Sequence, residues 1–341
     1  DVAIVGAGAS GAAIAYRLRE TDADVTVFEK SRGVCGRAAT RRREGCHYDY
    51  GANYVKDDDE RVNRLLTEEL DTEGLVDVDD PIWTFDAGGE ISEGRDSDER
   101  RWTYETGITQ IAKRLFAATD ATVEHGTRVE ALARGEERWG VTDTDGEDLG
   151  AFDRVVLTPP APQTAALLGS TAWDDERHVA AHDTVAAVEY ASVFTAVCHY
   201  PFELDRPWYA LVDTSKEHPV GWLSREECKP GHVPDGESLL VAQMGHDWSG
   251  ERIDDDPEEV LRASVGHVAE LLDEERLAEP DWTDHQGWRY ALPNGGADED
   301  RLRNCESAGL YFAGDWVAGE SRVHAALHNG LRVGERLADS L

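Results

Sequence analysis

The chain has 341 residues, enough for a sizeable core and about two domains. Its 70 acidic residues against 34 basic ones give a formal net charge of −36, which argues against a nucleic-acid partner, because that needs basic patches. No apolar run reaches membrane-spanning length and no signal-peptide pattern is present, so no membrane partner and a cytoplasmic protein are expected.

The first elements are the clearest. Residues 1–5 form an apolar, β-branched run that reads as a buried strand. Gly6, Gly8 and Gly11 follow with Ala9 and Ser10 between them, and a helix-forming run from Ala12 to Arg19 comes next. Val25–Phe28 then reads as a second strand that ends in Glu29. Strand, turn, helix, strand and acid at this spacing are the βαβ dinucleotide fingerprint. Gly6 allows a tight turn, Gly8 lets the backbone approach a pyrophosphate, and Gly11 lets the helix pack closely on the strand. The helix N-terminus favours the phosphate charge, Ser10 can add a hydroxyl donor, and Glu29 can hold ribose. Since the first residue already stands in the strand pattern, a few native residues are expected to precede it.

The next stretch is a basic loop punctuated by glycine, Lys30 to Thr40, containing Gly33, Gly36 and Arg37. Asp49, Gly51, Ala52, Asn53 and Tyr54 come shortly after. Further along, 65–70 and 106–117 read as helices, and 121–124, 127–132, 139–141 and 152–157 as strands. Pro159 and Pro160 close that unit. Strand-like runs at 186–190, 192–200, 208–212, 220–223 and 238–244 suggest an antiparallel sheet. Asp256-Pro257-Glu258 opens a helix to about Leu272. Residues 309–313 read as a late strand followed by Gly314-Asp315, and 323–337 as a helix with Val323, Leu327, Leu331 and Gly334 along one face.

These motifs resemble the FAD-dependent amine-oxidase superfamily, most closely its renalase-like branch. The resemblance rests on Glu29-Lys30, Gly33, Gly36-Arg37, Thr40-Arg41, Asp49, and Gly51 to Tyr54 at one end, and on Gly314-Asp315 at the other. One departure is Cys35, which stands where relatives carry the first glycine of a Gly-Gly-Arg. The resemblance implies an α/β fold with a Rossmann-like FAD-binding domain and a second domain of antiparallel sheet plus helices. The expected FAD domain comprises residues 1–78, 105–160 and 291–341, and the substrate domain 79–104 and 161–290. It places Gly6, Gly8, Ala9, Ser10, Gly11, Glu29, Lys30, Gly36, Arg37, Ala52, Asn53, Tyr54, Val129, Gly314, Asp315, Val323 and Ala325 around the cofactor. Val129 would lie against the adenine, Asp315 near the ribityl or pyrophosphate, and the dipole of the last helix would support negative charge on reduced flavin.

Renalase-like proteins also carry segments similar to Trp288-Arg289-Tyr290-Ala291 and Trp248-Ser249. Pocket candidates are therefore His246, Trp248, Trp288 and Arg289, with a solvated loop histidine and core aromatics as the plain alternatives. The implied activity is hydride transfer from a small reduced substrate, an isomeric dihydronicotinamide dinucleotide, to flavin N5, with dioxygen as acceptor. An amine oxidase, an isoprenoid desaturase-like enzyme and a flavin-binding protein without turnover remain open. Only one GxGxxG is present, so a second dinucleotide domain for NADPH is not expected.

Five cysteines (35, 46, 198, 228 and 305) show no CxxC pair and no metal spacing. A redox or flavin-linking role for Cys35 or Cys46 is conceivable, but Cys305 matches the covalent-FAD position poorly, so non-covalent FAD is expected. The acid excess is spread along the chain rather than gathered in one tail. Such a surface is usual in the cytoplasm of extreme halophiles, where salt screens self-repulsion. No metal and no particular oligomeric state are implied.

Overall fold

The computed structural model describes residues 1–94 and 99–341. Its first sheet has five strands, all parallel, in the order Thr122–His125, Val25–Glu29, Val2–Val5, Arg154–Leu157 and Leu310–Phe312. Val2, Ala3 and Ile4 are fully buried, as a strand covered on both faces requires. On one face lie the helices Ala9–Leu18, Gln110–Ala117 and Val323–Ala338. The first and last of these touch closely: Gly330 lies against Ser10 and Ala13, so a Cβ there would come within 2.5 Å of the Ser10 carbonyl oxygen. The other face carries the antiparallel strands Val129–Arg134, Trp139–Asp143 and Asp148–Phe152 and two helices, Ala161–Gly169 and Glu176–Ala186. The chain is thus α/β with a Rossmann-like layer, as the sequence indicates.

The second sheet has seven strands in the order Trp282–Pro293, Tyr190–Tyr200, Ser238–Met244, Val220–Arg225, Ala210–Asp213, Ile82–Phe85 and Ile91–Ser92. Its pairs are antiparallel except Ala210–Asp213 with Ile82–Phe85, which are parallel. Alternation along the strands sends Phe194, Ala196, Cys198, Leu240, Ala242 and Met244 to a face covered by the helix Pro257–Leu271. Val197, Leu239 and Val241 point the other way, onto Cys46 and Tyr48. Those two belong to a hairpin, Thr40–Arg43 with Cys46–Asp49, that reaches from the glycine loop to this sheet.

Several sequence expectations need correction. Residues 186–190 are no strand: Ala186 ends a helix whose Asp175 cap accepts from the Arg177 N–H, and the strand starts at Tyr190. The helix expected from 106 begins at Gln110, because Gly107 turns the chain with φ +92°. The short helix near 65 is the widened, π-type end of one that starts at Glu60. The strand expected at 152–157 is two: Phe152 closes one and Arg154 opens the next. The boundary at 160 put residues 161–186 with the second sheet, yet Ala161, Leu167, Leu168, Ala181 and Val185 are buried in the cluster of the parallel sheet.

Candidate functional site

The glycine turn sits at the carboxyl end of the central parallel strand, where the strand order reverses and ligands of open α/β sheets bind. Gly6 has φ +100°, and a Cβ at Gly11 would overlap the Gly6 carbonyl oxygen, so the helix seats on the turn only with glycine there. A Cβ at Gly8 would meet nothing within 4 Å. This is an open cradle at the N-terminus of Ala9–Leu18, with no acidic residue in the first turn. Anionic ligands suit such a place.

Glu29 is buried at the end of its strand, and each carboxylate oxygen accepts one backbone N–H, from Ala7 and from Ser31, both at 2.8 Å. The carboxylate therefore fixes the turn and keeps lone pairs for further donors. Ser10 departs from expectation. Its hydroxyl donates to the Ala326 carbonyl at 2.9 Å, which ties the first helix to the last and takes it away from a phosphate. Lys30 is exposed.

Cys35 adopts φ +79°, the left-handed conformation that glycine occupies at little cost. Its N–H donates to the Ala7 carbonyl at 2.8 Å, and its side chain is buried in the core under the three helices. Burial pushes its thiol up to about 12, so it is no ready nucleophile. The other four thiols are also pushed up by burial: Cys46 and Cys305 to about 11, Cys198 and Cys228 to about 12.

Arg37 joins the two ends of the chain. Its guanidinium donates to both oxygens of Asp315, at 2.7 and 2.8 Å, and to the Ala291 carbonyl at 2.7 Å. Burial opposes the arginine's charge, but Asp315 more than offsets it and raises the pKa. Asp315 also accepts from the Trp316 N–H, while the Gly314 N–H donates to Asn329 Oδ1 at 3.0 Å. The Arg37 carbonyl in turn accepts the Ala52 N–H at 3.0 Å, and a Cβ at Gly51 would overlap that carbonyl oxygen. The loop at 36–37 and the segment 51–54 are therefore clamped together.

Beyond that clamp stands an aromatic wall. Tyr54, Tyr209 and Trp222 have ring centroids 6.2–6.4 Å apart. Asn53 Oδ1 accepts from Ser224 at 3.3 Å, and Gln243 donates to the Gly51 carbonyl. Trp288 stacks on Tyr50 at 5.2 Å and donates to the Tyr50 carbonyl at 3.2 Å, so it belongs to this region. The other pocket candidates do not. Arg289, next along the strand and facing oppositely, makes a surface ion pair with Asp254. Trp248 packs among the side chains on the helix-covered face of the seven-stranded sheet, opposite the face that holds Cys46 and Tyr48, and His246 is exposed beside it. Val129 is buried at the start of its strand, and in the first turn of the last helix Val323 is half-buried and Ala325 buried.

The sequence reading missed a buried ionic cluster under this segment. Lys229 Nζ lies 3.0 Å from Asp49 and 2.9 Å from Glu226, all with side chains 0% exposed. His232 Nδ1 is 3.0 Å from Glu226, and its Nε2 is 3.0 Å from the Tyr104 carbonyl. Asp49 further accepts from Thr40, Thr103 and the Ile108 N–H. Burial alone would raise the Asp49 carboxyl; Lys229, His232 and these bonds outweigh it and hold it below the usual range. Burial likewise works against the His232 cation, but Glu226 and Asp49 raise its pKa. Only Asp49 could be found by motif, since its charged partners lie 177 and more residues away.

A cofactor fits what is present. The open space over Gly8 belongs to a turn held by a half-used Glu29, and among the described residues two buried donors, Asn329 Nδ2 beside the Gly314 turn and Trp222 Nε1 in the aromatic wall, have no partner.

Comparison with known proteins agrees with this geometry. Residues 4–68 match the NAD(P)-binding Rossmann-like domain. The chain is 42% identical over 65 residues to protoporphyrinogen oxidase 2 of Arabidopsis thaliana, a match spanning 19% of this chain and 13% of that protein. It is similar in fold to a protein from Exiguobacterium sp. 255-15 described as a protoporphyrinogen oxidase, with TM-score 0.80, 14% identity and coverage of 100% and 99% of the two chains. Cyclohexylamine oxidase of Brevibacterium oxydans gives TM-score 0.74 at 15% identity, covering 100% and 99%. At such identities these structures speak to the fold alone. Residues 84–338, most of the chain, match the family described as flavin containing amine oxidoreductase, and the chain belongs to that family.

Proposed function

We propose that the chain is a non-covalent FAD oxidase that takes a hydride from a small reduced donor, an isomeric dihydronicotinamide dinucleotide, with dioxygen as the final acceptor. The open cradle over Gly8, bounded by Glu29 and closed by the Arg37–Asp315 pair, carries this reading. When bound, the flavin supplies hydride-acceptor chemistry. The protein's part is to hold and orient. Backbone N–H groups at Gly8 to Ser10 would face the diphosphate, and the free lone pairs of Glu29 would take ribose hydroxyls. Val129 and the first turn of the last helix, with Val323 and Ala325, would flank the cofactor. Asn53, Tyr54 and Trp288, held on the Arg37 clamp, would keep water from the donor. All five thiols are pushed to about 11 or 12, which supports a cofactor held without a covalent link.

A second reading has an amine as donor. The family description and the uncharged wall of Tyr54, Tyr209 and Trp222 favour it. The test is a visible spectrum of protein purified in high salt, then anaerobic mixing with isomerised NADH and with a panel of amines. Bleaching by the dihydronicotinamide isomers that recovers in air is expected. Bleaching by amines alone moves the assignment to the second reading. A flavin spectrum that neither bleaches sinks both.

A further inference from the structure

A groove of about 380 Å³ runs along the outer side of the glycine loop, lined among others by Ser31, Arg32, Gly36, Arg42, Tyr50 and Lys113. Small-molecule pockets start near this size, at roughly 300 Å³. Its lining contains three cations, Arg32, Arg42 and Lys113, and no Asp or Glu. That is unusual in a chain with 70 acidic residues against 34 basic ones. Many arginines and lysines elsewhere are held by carboxylates, as Arg37 is by Asp315, Arg41 by Asp284, Lys56 by Glu99 and Arg61 by Glu335, whereas this groove gathers three that are not. Among the described residues Arg32, Arg42 and Lys113 make no ion pair with a carboxylate, and all three are exposed at the groove.

We infer that this groove is a binding site for the diphosphate group of a small molecule. Two guanidinium forks match phosphate oxygens with paired donors, and the lysine adds a point charge. Three positive charges suit a group carrying two or three negative ones. The Tyr50 ring is already engaged, by Trp288 stacked at 5.2 Å and by the Arg41 guanidinium at 4.2 Å. A base therefore has no ring to stack on, and the groove reads phosphate rather than nucleoside. Gly36 lines the groove, and a Cβ on it would lie 3.6 Å from Gly8 Cα, so the site adjoins the cofactor cradle.

The test is calorimetric titration of the flavin-loaded protein, at the lowest salt that keeps it folded, with inorganic pyrophosphate, ADP and sulfate. Pyrophosphate and ADP are expected to bind alike, and sulfate about tenfold or more weaker. Arg32→Ser and Arg42→Ser are expected to weaken pyrophosphate about tenfold each, the loss of one charge-assisted contact. Both positions are exposed, so the variants should fold, and unchanged circular dichroism checks this. Binding undiminished in the double variant, sulfate binding as tightly as pyrophosphate, or pyrophosphate binding only to flavin-free protein would each overturn the assignment. The last outcome would give the groove to the cofactor itself.

Discussion

Arg37 and Asp315 lie 278 residues apart in sequence and meet in a two-pronged ion pair. The pair ties the glycine loop after the second strand to the turn after the last one. Asp315 is buried, and Arg37 is its cationic partner. Replacing Arg37 by alanine leaves a buried carboxylate unpaired, at a cost of about 2–4 kcal/mol. Arg37→Lys can neutralise the charge but cannot reach both oxygens and the Ala291 carbonyl together, so partial rescue is expected. Chemical denaturation and the flavin content of purified protein measure both effects. Arg37→Ala with full flavin content and unchanged stability would refute this role.

At Cys35 a side chain occupies glycine's conformation. Its left-handed backbone costs about 1 kcal/mol, and its buried thiol returns a similar amount. Cys35→Gly should therefore leave stability within about 1 kcal/mol and flavin binding unaltered. Cys35→Val should lose about 2 kcal/mol or more, because a β-branched residue fits the left-handed region poorly. Thermal melts of the two variants test this. A redox role for the thiol would instead show as lost turnover in Cys35→Gly.

The buried Asp49–Lys229–Glu226–His232 cluster makes stability depend on pH. Asp49 has a depressed folded-state pKa, so its contribution is complete above its unfolded value, about 3.9, and is lost as pH falls toward the folded value. His232 has a raised one, so its contribution is complete below its unfolded value, about 6.5, and fades as pH rises through the folded value. Stability should therefore fall off on both the acid side and the mildly alkaline side. Asp49→Asn should remove the acid limb and cost about 3–5 kcal/mol at neutral pH, because it strips Lys229 of a buried partner. Urea titrations at several pH values follow each limb.

With a formal charge of −36, the folded chain repels itself, and salt should relieve this. The melting temperature is expected to rise steadily from millimolar to molar potassium chloride. A fully folded, active protein at millimolar salt would sink the halophilic reading.

The glycine turn, Glu29, Cys35 and the Gly314-Asp315 turn were all legible because each depends on local backbone geometry, which short motifs record. The sequence suggests a free Ser10 hydroxyl for phosphate, because its actual acceptor, the Ala326 carbonyl, lies 316 residues away and no motif carries it. His246 and Trp248 were grouped with Trp288 by sequence likeness alone. Strand alternation decides which face a residue meets, and the turn into His246–Arg252 put Trp248 on the helix-covered face. The helices at 161–169 and 176–186 escaped notice because their apolar positions are largely alanine, which marks a periodic face weakly.

The hairpin Thr40–Arg43 with Cys46–Asp49 is cross-tied on both sides. Arg41 and Tyr48 both hold Asp284 of the seven-stranded sheet, at 2.9 and 2.8 Å. Asp49 meets Lys229 in the chain leading to that sheet and the Ile108 N–H just before a helix of the parallel-sheet layer. A strut fastened to both lobes resists any hinge between them. The spacing between cradle and wall is thereby built into the fold by contacts at both ends of one short hairpin.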